Sequence, residues 1–176
     1  MVAVAFPNMS RFFPENKIIL TGNPVRKAIL EVGLKRDNAF QFFKLDSSKK
    51  TLVILGGSLG AEQINQTIES HLSFFSDLGI QLIWQCGKLY FDRLKMHNEL
   101  NYVQVHPFIQ DMDLLYAASD YLISRAGASS VSELALLGKP VLLIPSPNVA
   151  ENHQYHNAKY LVNSGGALIL SEKDLK

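Results

Sequence analysis

The sequence predicts an α/β fold: a doubly wound, Rossmann-like, mostly parallel sheet with helices on both faces. Three observations carry this. Beyond residue 50, short apolar segments alternate steadily with helix-patterned ones. The apolar segments are rich in Val, Ile and Leu and nearly uniform along their length, as strands buried on both faces of a parallel sheet are. A glycine-rich joint, Leu-Gly-Gly-Ser-Leu-Gly-Ala at 55–61, links the first of those strands to the first of those helices.

The elements follow in order. A short strand in Val-Ala-Val-Ala-Phe opens the chain and leads into a proline-containing loop. Gly22, Asn23 and Pro24 read as a turn, with Pro24 near the first helical position and Arg26 in the first turn of a helix. The helix dipole opposes a cation there. Arg26 therefore suits a partner such as a phosphate or a base carbonyl, the simple alternative being an exposed arginine. Residues 35–50 read as a charged, mobile connection. Strands are expected at 51–56, 80–85, 102–106, 120–124, 140–145 and 166–170, and helices at 61–76, 88–99, 111–118, 128–137 and 151–163. In the first of these helices Ile64, Ile68, Leu72 and Phe75 form one apolar stripe. The closing Ser-Glu-Lys-Asp-Leu-Lys begins a helix with Ser171 as its N-cap. Both ends read as those of a fragment, residues 1–20 forming a last strand and linker from a preceding domain and 21–176 a domain cut before its final helix.

Composition narrows the function. The 176 residues are 47% hydrophobic and 19% charged, with net charge +1, which suits one soluble globular domain and gives no electrostatic argument for nucleic acid. One cysteine, Cys86, excludes an internal disulfide. No apolar run approaches the ~20 residues that span a bilayer, and the N-terminus lacks the pattern of a signal peptide.

Ligands of such sheets sit beyond the carboxyl ends of the strands, so the strand-to-helix loops carry the candidate sites. In the joint at 55–61, Gly56, Gly57 and Gly60 allow a tight path and close approach of a ligand, and Ser58 can donate its hydroxyl or cap the next helix. Alone, the stretch reads equally as a turn or as a phosphate cradle at a helix N-terminus. It is neither a P-loop nor a full dinucleotide fingerprint, since the next strand ends in Gln85 and Cys86 rather than an acid. A second free helix N-terminus is expected at Gly127–Ala128, after Ser124–Arg125. Glu133 follows either as an exposed acid suited to ribose hydroxyls or as the partner of Ser130 in a capping box. Two such helix ends suit a diphosphate. The loop and helix start at 145–158 gather Asn148, Glu151, Asn152, His153, Gln154, His156 and Asn157, an inventory suited to sugar hydroxyls, with a solvated helix face as the alternative. His153 and His156 could face a metal, but no acid or cysteine is evidently paired with them. Asp111 and Asp113 resemble a D-x-D metal site; helix capping explains them more simply. Phe108 and Ile109 could line the face of a flat base. His71 and His97 read as surface residues.

Taken together, Thr-Gly-Asn-Pro-Val-Arg at 21–26, the glycine joint, Phe-Ile-Gln-Asp-Met at 108–112, the block 124–147 and Asn-His-Gln-Tyr-His-Asn-Ala at 152–158 resemble the C-terminal half of the bacterial peptidoglycan N-acetylglucosaminyltransferases that convert lipid I to lipid II. The resemblance runs from about residue 2 to the end. It implies one half of a GT-B fold that binds UDP-N-acetylglucosamine, with the acceptor site, the catalytic base and the membrane-contacting surface in an N-terminal half. It implies inverting transfer to a lipid-linked C4 hydroxyl at the cytoplasmic face of the membrane, without metal or other cofactor and without nucleic acid. By motif match, Arg26, Gly57 and Ser58 would meet the diphosphate, and Ile109 would hold the uracil through its backbone. Gly127, Ala128, Ser129 and Ser132 would supply the phosphate-binding helix end. Glu133 would take the ribose hydroxyls and Gln154 the sugar hydroxyls, with His153 and Asn157 nearby. Leu59 departs from a family glutamine and His153 from a second glutamine in some members. The isolated chain is expected to bind donor weakly and to transfer nothing. A UDP-GlcNAc epimerase, resting on Glu151 and His153, and a non-catalytic nucleotide-sugar-binding or docking domain are the alternatives.

Overall fold

The structure, a computed structural model, describes residues 1–7, 9–149 and 152–175. Strands β1 (Val2–Val4) and β2 (Ile18–Leu20) pair in parallel as a separate ribbon. The main sheet contains β3 (Lys50–Leu55), β4 (Ile80–Gln85), β5 (Val103–His106), β6 (Tyr121–Ser124), β7 (Val141–Leu143) and β8 (Leu168–Ile169). Its order is β5-β4-β3-β6-β7-β8, every pairing parallel. The chain winds outward from β3 to β5, then returns to lay β6 on the other side of β3. Winding reverses there, and Leu55 lies opposite Ser124 at the carboxyl ends of the two strands. A reversal of this kind opens a crevice for ligands.

The helices are α1 (Arg36–Phe42), α2 (Glu62–Ser70), α3 (Leu72–Asp77), α4 (Phe91–Leu94), α5 (Met112–Ala118), α6 (Ala128–Leu137) and α7 (His153–Asn163). They cover both faces because alternate strand residues point opposite ways. Val53, Leu55, Ile83, Leu122 and Leu143 join one core with Ala39, Tyr116, Leu134 and Ala158. Leu52, Ile54, Leu82, Trp84 and Val105 join the other with Ile64, Ile68 and Leu94. No helix among the described residues is long and apolar enough to cross a membrane.

Several local expectations are corrected. Residues 35–50 are not a mobile connection, because α1 forms there. Ala39, Phe40 and Phe43 make a buried stripe within the charged run, and Arg36 anchors its start on Asp120 with both carboxylate oxygens at 3.2 Å. The helix expected at 61–76 breaks at His71 into α2 and α3, and that at 88–99 reduces to α4 followed by a 3-10 turn, Lys95–Glu99. Arg26 precedes a 3-10 helix, Lys27–Leu34, in extended conformation (φ −66°, ψ 127°), so the dipole argument against a cation there does not apply. Ser171 does stand at an N-cap, but of a 3-10 turn, Glu172–Asp174, and without a side-chain bond. His97 is not a surface residue: Nε2 lies 2.8 Å from Glu69 Oε1 and the ring stacks on Trp84.

One buried amide ties the second core together. Asn65, fully buried on α2, donates to Cys86 O (2.9 Å) and accepts from Trp84 Nε1 (3.0 Å). Asn65→Leu keeps the volume and strands both partners, and is expected to cost about 2–5 kcal/mol of stability, read as a lower urea midpoint. A loss under about 1 kcal/mol would show that this tie carries little of the core's stability.

Candidate functional site

The site is built on the two strand ends that the sheet reversal places side by side. After β3, Gly56 N–H donates to Gln85 O (3.1 Å) and Gly60 N–H to Gly57 O (3.1 Å), folding the glycine joint back on itself. Gly57 and Gly60 hold φ of +85° and +84°. A Cβ at Gly60 would stand 2.3 Å from Cys86 O and 2.6 Å from the Tyr90 ring, whereas one at Gly57 would meet nothing within 4 Å. The joint is therefore packed against the β4 end on one side and open on the other. Ser58 and Leu59 are both exposed. Ser58 does not cap α2, whose N-cap is Ala61. The amides of Glu62, Gln63 and Ile64 precede the first intrahelical bond, Asn65 N–H to Ala61 O (2.9 Å).

After β6, α6 starts early, with Gly127 at the N-cap, so Ser130 is not the cap of a capping box. The amides of Ala128, Ser129 and Ser130 precede the first intrahelical bond, Val131 N–H to Gly127 O (2.9 Å). Two helix N-termini, α2 and α6, thus follow adjacent strand ends. Both have the positive end that favours an anion.

Glu133, one turn further along α6, is not the exposed acid that the sequence suggests; it is 6% exposed. The Tyr116 hydroxyl, from α5, donates to its Oε2 at 3.1 Å, and Arg26 Nη1 lies 3.6 Å from its Oε1. Burial, then the Glu133 carboxylate, raises the Tyr116 phenol far above its usual range, which keeps it a donor. The Arg26 side chain is exposed. Its turn is strapped to α6 by Asn23, whose Nδ2 donates to Ser132 Oγ (3.0 Å) and Ala128 O (3.3 Å). Ser132 Oγ itself donates to Ala128 O (3.0 Å), so this hydroxyl is engaged inside the strap.

The polar cluster on α7 divides. Gln154 Oε1 accepts from Ser146 N–H (2.9 Å) and Ala126 N–H (3.3 Å), joining the loops after β7 and β6. Asn157 is buried and donates to Ala126 O (3.1 Å). His153 and His156 are exposed. Glu151 lies outside the described residues. A cleft of about 690 Å³ opens beside this loop, lined by Gln63, Pro145, Ser146, Pro147, Tyr155 and Lys173 among others. Arg125, at the β6 end, is mostly buried, donates to Ile144 O (3.2 Å) and forms an ion pair with Glu172.

Ile109 is buried, and its N–H donates to Gln85 Oε1 (2.9 Å); Phe108 is exposed beside it. Asp111 occupies the α5 N-cap without a side-chain bond, and Asp113 is held by Lys35 Nζ at 2.7 Å, which with that ion pair keeps its carboxyl below the usual range. Among the described residues no three His, Cys, Asp or Glu side chains converge on a metal site.

The structure thus gathers Arg26, Ser132 and Glu133 at the second turn of α6, sets Gly57 and Ser58 on the neighbouring joint, and groups Gln154 and Asn157 around Ala126. The supporting Asn23, Tyr116 and Gln85 were not legible as site residues, since each acts through a hydrogen bond to a residue distant in sequence, 109, 17 and 24 positions away.

The model of the glycosyltransferase family 28 C-terminal domain matches residues 51–176. A protein of Flavobacterium psychrophilum described as UDP-N-acetylglucosamine–N-acetylmuramyl-(pentapeptide) pyrophosphoryl-undecaprenol N-acetylglucosamine transferase is 55% identical over 174 residues, covering 99% of this chain and 47% of that protein. A protein of the same description from Christiangramia forsetii is 50% identical over 175 residues, covering 99% and 48%. The crystal structure of Acinetobacter baumannii MurG superposes with a TM-score of 0.72 at 29% identity, covering 99% of this chain and 47% of that one. The chain spans about half the length of the curated relatives it matches.

Proposed function

The chain belongs to the glycosyltransferase family 28 C-terminal domains, and from that premise we propose that it is the donor-binding half of an inverting transferase. In this reading the whole protein moves N-acetylglucosamine from UDP-N-acetylglucosamine to the C4 hydroxyl of lipid-linked N-acetylmuramoyl-pentapeptide in peptidoglycan synthesis. The observation that carries it is the pairing of two helix N-termini at the sheet reversal, with Arg26 beside Glu133 on the second turn of one of them.

The chemistry follows from what leaves. As the acceptor hydroxyl attacks the anomeric carbon, UDP departs and negative charge grows on its diphosphate. Fixed amides at the starts of α2 and α6 stabilise that charge without reorganising, and Arg26 adds a mobile cation at the crevice edge. Gly57 and Ser58 take one phosphate, and Gly127, Ala128 and Ser129 the other. Glu133 accepts from the ribose hydroxyls, the Ile109 carbonyl accepts from the uracil N–H, and Gln154 meets the sugar with its amide nitrogen, His153 standing beside it. Ser132 and Asn157 serve by holding the frame rather than by touching donor. Residues 1–20 belong to the junction with the acceptor half, which supplies the base, the lipid I site and the contact with the cytoplasmic face of the membrane.

Calorimetry with UDP-N-acetylglucosamine, UDP and GDP tests this reading. Uridine nucleotides are expected to bind and GDP to fail, and Arg26→Ala is expected to weaken UDP about tenfold, the loss of one charge-assisted contact. Equal binding of UDP and GDP, or no effect of Arg26→Ala, would overturn it.

A further inference from the structure

Resting on the reading that Glu133 takes the ribose, we infer that Tyr116 is a positioning residue for donor recognition: its hydroxyl holds Oε2 of Glu133 and thereby fixes Oε1 on the ligand side. A carboxylate on a helix has rotamer freedom, and a lone Glu in the crevice would have to be ordered by the nucleotide itself. Here that ordering is already in place. Oε2 is taken by Tyr116 at 3.1 Å, and Oε1 faces the exposed Arg26 at 3.6 Å, so the two oxygens have different environments.

Tyr116 is itself immobilised. It is 1% exposed in the core beneath α6. Its carbonyl accepts from Lys139 Nζ at 2.6 Å, and the same ammonium also reaches Ser119 O at 2.5 Å and Ala117 O at 3.4 Å. Lys139 stands just past Gly138, the left-handed C-cap of α6. The helix that carries Glu133 therefore reaches back at its far end to pin the residue that orients Glu133. α6 is thus locked to α5 at two points, at its middle through a hydroxyl on a carboxylate and just past its C-cap through an ammonium on carbonyls.

A merely structural tyrosine would affect every ligand alike, so the test compares two nucleotides on one preparation: UDP and 2′,3′-dideoxyuridine diphosphate, which lacks the ribose hydroxyls. The ratio of their affinities is independent of how much of the preparation is folded. Tyr116→Phe is expected to weaken UDP roughly tenfold and to leave the dideoxy nucleotide unchanged. In a Glu133→Ala background the same change is expected to leave the ratio untouched. Equal losses for both nucleotides, or no loss for either, would overturn the inference. A native protein that does not distinguish the two nucleotides would instead remove the ribose reading, and this inference with it. That result is separable from a native protein that distinguishes them and ignores Tyr116→Phe.

Discussion

Glu133→Ala is expected to weaken UDP binding by about 100-fold or more, because it removes a charged acceptor for two ribose hydroxyls, each such bond being worth about 1.5–3 kcal/mol. The change also has a structural cost. The Tyr116 hydroxyl is buried and has Glu133 as its partner, so truncation strands a donor in the core, at about 1–3 kcal/mol. Losing the contact with Arg26 adds little, since that guanidinium is largely solvated. Affinity and stability therefore fall together but in different proportion. Calorimetry on the folded fraction, with urea unfolding beside it, separates them. Glu133→Gln sharpens the comparison: the amide keeps the volume and can still accept from Tyr116, so stability is expected to recover more than affinity. A folded Glu133→Ala protein that binds UDP within threefold of the native chain would show that Glu133 serves the core and not the ligand.

Sequence patterning made the sheet legible because buried parallel strands and amphipathic helices leave periodic signals, and α6 falls at 128–137 as its small residues and Gly138 imply. Patterning failed at α1, where Ala39, Phe40 and Phe43 were hidden among Lys, Arg and Asp, and at His71, where an apolar stripe continued through a break in the backbone. The two helix starts after β3 and β6 were legible too, since glycine and small residues mark both strand-to-helix joints. The state of individual polar groups was not. Whether Glu133 is exposed depends on Tyr116 beneath it, and whether the Ile109 amide is free depends on Gln85 from another strand. Ser132 and Asn157 carry motif-matching side chains, yet each hydrogen-bonds within the frame, to Ala128 O and Ala126 O. Spacing in sequence reports which loop a residue sits on; it does not report which of its hydrogen bonds are already made.

The glycine joint gives the sharpest separation of packing from binding, because one of its two left-handed glycines, Gly60, is tightly packed and the other, Gly57, is open. Gly60→Ala is expected to cost at least about 3 kcal/mol, combining the strain of a side chain at positive φ with a clash the surroundings cannot relieve. The obstructing atom is Cys86 O, 2.3 Å from the added carbon, and Cys86 is held by its N–H on His106 O (3.0 Å) and by Asn65 on its own carbonyl (2.9 Å). The joint must move instead, carrying Gly57 and Ser58 off the strand end, so UDP affinity is expected to fall by about 100-fold, the equivalent of two lost charge-assisted bonds. Gly57→Ala has the same unfavourable φ but open space around the methyl, so about 1 kcal/mol of strain is its whole structural cost. Its effect on binding is then a direct reading of the cradle. If a phosphate approaches the backbone there, the methyl stands in its way and UDP binding is lost from a nearly native fold. Retention of UDP binding by Gly57→Ala, with Gly60→Ala destabilised as expected, would make the joint a tight turn that packs β3 against β4 and leave the α6 end alone to hold the diphosphate.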